Sequence, residues 1–144
     1  MAEQNYSNHT QIVTPFHKVL VPMAALIFIG SLVNLYQSLG DHSRLYSASL
    51  ITAISVALLL ASFLSRIFPL KAQDRAIRAE ENLRHYVLTG KLLDSRLAPL
   101  QVVALRFASD AELPELARKA AEKNMSPKEI KVAIKTWRPD TYRV

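Results

Sequence analysis

The runs VLVPMAALIFIGSLVNLYQSLG, Val19 to Gly40, and LYSASLITAISVALLLASFLS, Leu45 to Ser65, hold no charged residue and are joined only by Asp41-His42-Ser43-Arg44. At 1.5 Å per residue each exceeds the roughly 20 residues needed to cross a hydrocarbon core of about 30 Å, so each is expected to be a transmembrane helix. Together they predict a membrane hairpin, with helices over about 19–40 and 45–68. Pro69 is expected to kink or break the chain just beyond it, because its ring clashes with the preceding turn.

On either side of the hairpin the composition changes. Residues 1–18 form a polar arm interrupted by Pro15, and 71–144 carries most of the charged residues of both signs, as a segment that folds in water does. The formal charge of +6 is spread along this tail. It suits an anionic lipid surface better than nucleic acid, whose binders concentrate their charge more strongly. With no cysteine, disulfides, thiolate zinc sites, iron–sulfur clusters and cysteine nucleophiles are excluded. Met1 to Thr14 holds Glu3 and no Lys or Arg, unlike the basic start of a secretion signal, so the first helix is expected to be retained. The connecting loop has only Arg44, whereas Arg66, Lys71, Arg75, Arg78 and Arg84 follow the second helix and Lys18 precedes the first. Basic residues resist translocation, so both termini are expected in the cytoplasm.

Small and polar residues mark the faces on which the membrane helices should pack. The first helix has Gly30, Ser31, Asn34, Gln37 and Ser38 largely along one side, and the second has Ala53, Ala57, Ala61 and Ser65 at four-residue steps, extended by Ala48, Ser49, Thr52 and Ser55. In lipid, small residues allow close backbone approach and amides find partners on a neighbouring helix. The same pattern serves the other helix of the hairpin, a second copy, or a different membrane protein.

The tail is expected to be helical throughout, with helices over about 71–88, 99–108, 110–124 and 127–138. Ala72, Ala76, Ala79, Leu83 and Tyr86 recur at steps of four and three, with Asp74/Arg78 and Glu80/Arg84 as four-apart pairs. That apolar seam is expected to pack onto the following helices, a coiled coil being the alternative, and Gly90 belongs at a helix C-terminus. Pro99 opens the next helix, with Leu100, Val103, Ala104 and Phe107 as its buried stripe. Ser109 or Asp110 opens the third, with Leu113, Leu116, Ala117 and Ala120 facing inward. Ser126, Pro127 and Glu129 form a capping box, after which Ile130, Ala133, Ile134 and Trp137 should be buried. No alternating pattern argues for strands. The expected fold class is therefore all-α: a two-helix transmembrane hairpin followed by a small cytoplasmic helical domain.

Catalytic chemistry is not legible. His9 and His17 precede the first helix, His42 lies in the loop and His85 in the tail, so no two match in depth as haem ligands within one chain. Leu88-Thr89-Gly90-Lys91 lacks the upstream glycine and following hydroxyl of a phosphate loop. No nucleophile, base and orienting group stand at mutually suggestive spacing. No catalytic residue, cofactor or metal is therefore expected. The best candidate contact surface is a basic stripe of Lys128, Lys131, Lys135 and Arg138 on the final helix, suited to lipid headgroups or an acidic protein partner.

The run Lys71-Ala-Gln-Asp-Arg-Ala-Ile-Arg-Ala-Glu-Glu-Asn-Leu-Arg-His85, with Leu88-Thr-Gly-Lys91, Leu105-Arg-Phe-Ala108 and the closing Trp137 to Val144, resembles a family of small bacterial membrane proteins classed as a domain of unknown function. The resemblance covers nearly the whole chain. It implies a multi-pass protein of the bacterial inner membrane with two membrane helices and a cytoplasmic helical tail, and it supplies no activity or site residues. The function expected is that of a membrane accessory or scaffold protein, not an enzyme, that packs in a homo-oligomer or larger membrane complex. The alternatives are a homo-oligomeric channel or transport component, and a tethered regulator binding lipid or, less favoured, nucleic acid.

Overall fold

The computed structural model describes residues 4–10 and 12–140. All regular elements among them are helical: α1 (Val21–Gln37), α2 (His42–Thr89), α3 (Pro99–Leu105), α4 (Leu113–Lys123) and α5 (Pro127–Ala133). They fall into two compact units, one of Gln11–Pro69 and one of Met1–Thr10 with Leu70–Val144.

In the first unit helix begins ahead of Val19, within the end of the N-terminal arm. Pro15–Leu20 is a π-helical turn leading into α1, with Val21 N donating to Phe16 O. It is wound just ahead of Pro22, which has no N–H to donate. At the other end, Gly40 at φ +92° turns the chain, a conformation that costs glycine nothing. Asp41 then starts α2: its carboxylate accepts from Ser43 N at 3.0 Å and Ser43 Oγ at 2.7 Å. Those bonds from Ser43 hold the Asp41 carboxyl below its ordinary value.

The two helices meet along a seam with buried or half-buried residues at alternating steps of three and four: Val21, Ala24, Phe28, Ser31, Leu35 and Ser38 on α1, and Leu45, Ala48, Thr52, Ser55, Leu59 and Ser62 on α2. This is coiled-coil spacing. Every seventh position is small and buried, Ala24, Ser31 and Ser38 on one helix and Ala48, Ser55 and Ser62 on the other. Small residues there let the backbones approach closely.

Helix α2 does not break at Pro69 but continues to Thr89. The proline removes one backbone hydrogen bond, and the segment directly after it is rich in Ala, Arg and Glu, which favour helix enough to carry the turn through. Gly90, at φ +71°, ends the helix.

The second unit is built around Leu97, Val102, Leu105, Phe107, Leu113, Ala117, Ala120 and Ile130. Buried Gln101 ties it together, accepting from Ala98 N at 2.6 Å and donating to Met125 O at 2.7 Å. Asn124 ends α4 in the left-handed conformation that asparagine tolerates, and Ser126 caps α5 with Glu129 closing the reciprocal bond. The Ser126 hydroxyl and then its backbone N–H hold the Glu129 carboxyl below its ordinary value.

Two helices are shorter than their apolar spacing predicts. Helix α3 stops at Leu105 and α5 at Ala133, because the chain beyond each is claimed by the other: Ser109 N donates to Thr136 O at 3.1 Å and Arg138 N to Phe107 O at 2.7 Å. Ala108 and Trp137 form an antiparallel bridge, and the Glu112 carboxylate accepts from Lys135 N and Thr136 N at 3.2 Å each. Ile134 still reaches the core, but from extended backbone. The start of α4 moves to Leu113, after a turn in which Ser109 O accepts from Glu112 N and Leu113 N.

The face that α2 turns inward also differs from expectation. Ala72, Ala76, Ala79, Leu83 and Tyr86 are exposed, and the buried side is Ile77, Glu81 and most of Arg84. The helices pack on the polar side, where each polar group has a partner: Glu81 and Arg84 by charge, and Asn82 Oδ1 by Leu93 N at 3.1 Å.

Candidate interaction surfaces

Of the residues expected to pack the membrane helices, the seam takes Ser31, Ser38, Ala48, Thr52 and Ser55, with Ser31 at the closest polar contact. Ser31 Oγ lies 2.9 Å from Ser55 Oγ, and Thr52 Oγ1 donates to Ser31 O at 3.2 Å. Each serine hydroxyl has one proton, and the carbonyls of Phe28 and Thr52 lie 2.7 Å from Ser31 Oγ and Ser55 Oγ respectively. One hydroxyl therefore donates across the seam while the other donates along its own helix. Gly30, Asn34, Gln37, Ala53, Ala57, Ala61 and Ser65 are exposed within this unit. A Cβ added at Gly30 would meet nothing within 4 Å. The hairpin thus uses one register of small residues and leaves a second facing outward.

In the second unit the charged centre is Glu81 with Arg84. Their side chains are 6% and 12% exposed, and Arg84 Nη1 sits 2.9 Å from Glu81 Oε2. The rest of the guanidinium is occupied too: Nη2 is 2.6 Å from Asp110 Oδ1 and donates to Ala108 O at 2.7 Å. Glu81 Oε1 faces Arg138 Nη1 at 3.6 Å. This network fastens the end of α2 to both halves of the 107–109/136–138 pairing. Sequence spacing pointed to Glu80 as the partner of Arg84, but Glu80 is exposed; the three-apart Glu81 is the one on the packed side.

The four basic residues do not form one stripe. Lys128 is exposed and Lys131 half-buried on α5, whereas Lys135 and Arg138 lie beyond its end. Lys131 Nζ is 3.0 Å from His9 Nε2 and 5.7 Å from the Phe107 ring centre. Lys135 borders a shallow open groove with Glu112, Glu115 and Lys119, and Arg138 faces Glu81. The helix end at Ala133 takes Lys135 and Arg138 off α5, and the four residues stand in four settings.

The chain matches, over residues 1–144, the model of a family of unknown function, DUF6526. It belongs to that family. No curated protein and no solved structure gives a match.

In this DUF6526 chain the segment least legible beforehand is the N-terminal arm. Asp140 N donates to Gln4 Oε1 at 2.8 Å, and His9 stacks on Tyr6 and lies 5.9 Å from both the Phe107 and Trp137 ring centres. His9 Nδ1 donates to Tyr6 O at 2.7 Å, so Nε2 is left to accept from the Lys131 ammonium. The arm covers the aromatic pair Phe107–Trp137, whose centres are 5.1 Å apart. Elsewhere His85 Nδ1 donates to Lys91 O at 2.7 Å. Among the described residues no group of three or more His, Cys, Asp or Glu is placed to hold a metal ion.

Proposed function

We propose that the protein is an integral membrane accessory or scaffold protein, whose hairpin crosses a bacterial inner membrane with both termini cytoplasmic and whose helical unit docks a cytoplasmic partner. The observation that carries this reading is the outside of the hairpin. Pro15–Gln37 and His42–Thr89 are both long and apolar enough to cross a membrane by length and composition. Yet Leu26, Ile54 and Leu60 are 70%, 66% and 58% exposed. A helix apolar all round and unburied is costly in water at about 25 cal/mol per Å² and costs nothing in lipid. The positive-inside rule sets the orientation.

The assembly role is supported by the outward set Gly30, Asn34, Gln37, Ala57 and Ala61, since an amide facing hydrocarbon gains from a partner helix. The same amides favour a second reading, a homo-oligomeric channel lined by Asn34 and Gln37. The experiment is alkaline carbonate extraction of membranes from the native host, followed by mild detergent extraction, native mass determination and identification of every co-purifying chain. Release by carbonate alone sinks the membrane reading. Foreign subunits in fixed proportion support the accessory role, whereas a pure homo-oligomer that makes liposomes leak replaces it with the channel.

A further inference from the structure

The exposed face of α2 within the second unit has a repeat of its own. Ala72, Ala76, Ala79, Leu83 and Tyr86 follow one another at steps of four, three, four and three, the heptad spacing at which two helices wind together. Leu83 and Tyr86 are 64% and 53% exposed, so the stripe is not spent inside the chain. The unit's own helices pack instead on the side of Ile77, Glu81 and Arg84, leaving this face sterically open.

We infer that this face pairs with the same face of a second copy, as a short parallel coiled coil. The flanking charges select both the partner and the direction. Arg75 stands just before Ala76 and Glu80 just after Ala79; both are exposed, and neither takes part in an ion pair within the described residues. In a parallel, in-register pair these positions lie across the seam from one another, so Arg75 of each copy meets Glu80 of the other, twice by symmetry. An antiparallel pair would set like positions together and forfeit that match. Two heptads are too few to form a coiled coil from disordered chain, because helix nucleation is costly. Here the helix is already formed and held from behind by the Glu81–Arg84 network, so association orders little new backbone. Three alanines at the start of the stripe allow close approach, and Leu83 and Tyr86 supply the larger apolar contacts.

The inference names an occupant that the proposed function leaves open, and its test does not depend on the hairpin lying in lipid. The natural chain has no cysteine, so single-cysteine variants of the full chain report without background. Ala79→Cys and Leu83→Cys, each in the seam, should give on mild oxidation in intact cells a covalent species of twice the 16.1 kDa chain mass. Arg78→Cys, exposed but outside the seam, should give little. Arg75→Glu should reduce the Ala79→Cys product several-fold, and adding Glu80→Arg should restore it. All these positions are exposed, so the core is untouched. Absence of the dimer, equal yield from Arg78→Cys, a cross-link to a chain of different mass, or failure of the double reversal to restore pairing would each overturn the inference.

Discussion

Lys131 holds its ammonium 3.0 Å from Nε2 of His9, although one residue lies on α5 and the other in the N-terminal arm. An ammonium has only protons to give, so this contact requires an unprotonated Nε2, with the ring proton on the Nδ1 that faces Tyr6 O. The arm is thereby tied to the aromatic surface it covers.

Replacing His9 with Ala removes the hydrogen bonds with Tyr6 O and the Lys131 ammonium and the ring contacts with Phe107 and Trp137, a loss of about 1–3 kcal/mol. Trp137 is the single tryptophan. Its emission should shift to the red in His9→Ala and become more accessible to a neutral quencher, while helix content is unchanged. An unaltered emission spectrum would mean that the arm does not cover Trp137 in solution.

Arg84 and Glu81 predict a different pattern. Removing one member of a buried pair strands the other's charge, at a cost of about 3–5 kcal/mol, whereas replacing both by apolar residues of similar volume can be neutral. Arg84→Met alone should therefore be strongly destabilising, since Arg138 at 3.6 Å is then the nearest cation to Glu81. Glu81→Met with Arg84→Met should recover much of the loss, and Glu80→Ala should change stability by less than about 0.5 kcal/mol. Chemical denaturation of the three variants measures all three values.

What was legible beforehand is what depends on neighbours in the chain. Gly90 as a helix stop and Ser126-Pro127 with Glu129 as a helix start need only local backbone sterics and a reciprocal hydrogen bond. The end of α5 is not local: the backbone of Lys135 to Arg138 is claimed by Glu112 and by Phe107–Ser109, roughly 25 residues away, and nothing in the spacing of Ile130, Ile134 and Trp137 announces that competition. The basic stripe dissolved for the same reason. On α2 the difficulty was a choice between faces. Ala72 to Tyr86 is the more apolar side, and it loses to Ile77, Glu81 and Arg84 because a fully paired polar network also satisfies burial.

The loop before α3 supplies a pH dependence. The Arg96 side chain, and then its backbone N–H, hold the Asp94 carboxyl at about 2. A depressed carboxyl contributes stability in full above the unfolded value near about 4, and the contribution is lost as pH falls through about 2. Arg96→Ala should therefore move the Asp94 carboxyl midpoint upward toward the ordinary aspartate value, and Asp94→Asn should flatten the acid limb of the melting curve below about pH 4. Carbon-detected titration of the Asp94 carboxyl gives the midpoint. A midpoint unchanged by Arg96→Ala would mean that the ion pair is not populated.

Ser55 and Ala57 test which register of small residues closes the hairpin. Ser55 is buried opposite Ser31, and Ala57, two residues on, is exposed on the outward side. Leucine at 55 must displace the facing backbone, and overpacking of this kind costs about 1–3 kcal/mol. Leucine at 57 meets no part of the hairpin. Ser55→Leu should thus lower the melting temperature of the purified full chain in detergent, while Ala57→Leu should leave it unchanged and alter only assembly with other helices. Ser55→Ala separates the hydrogen bond from the packing: polar contacts between helices in a membrane average about 0.6 kcal/mol, so its effect should be the smaller of the two seam changes. The reverse order, with Ala57→Leu the more damaging to the isolated chain, would mean that the four-residue register Ala53, Ala57, Ala61 and Ser65 closes the hairpin and the seven-residue register of Ala48, Ser55 and Ser62 faces out.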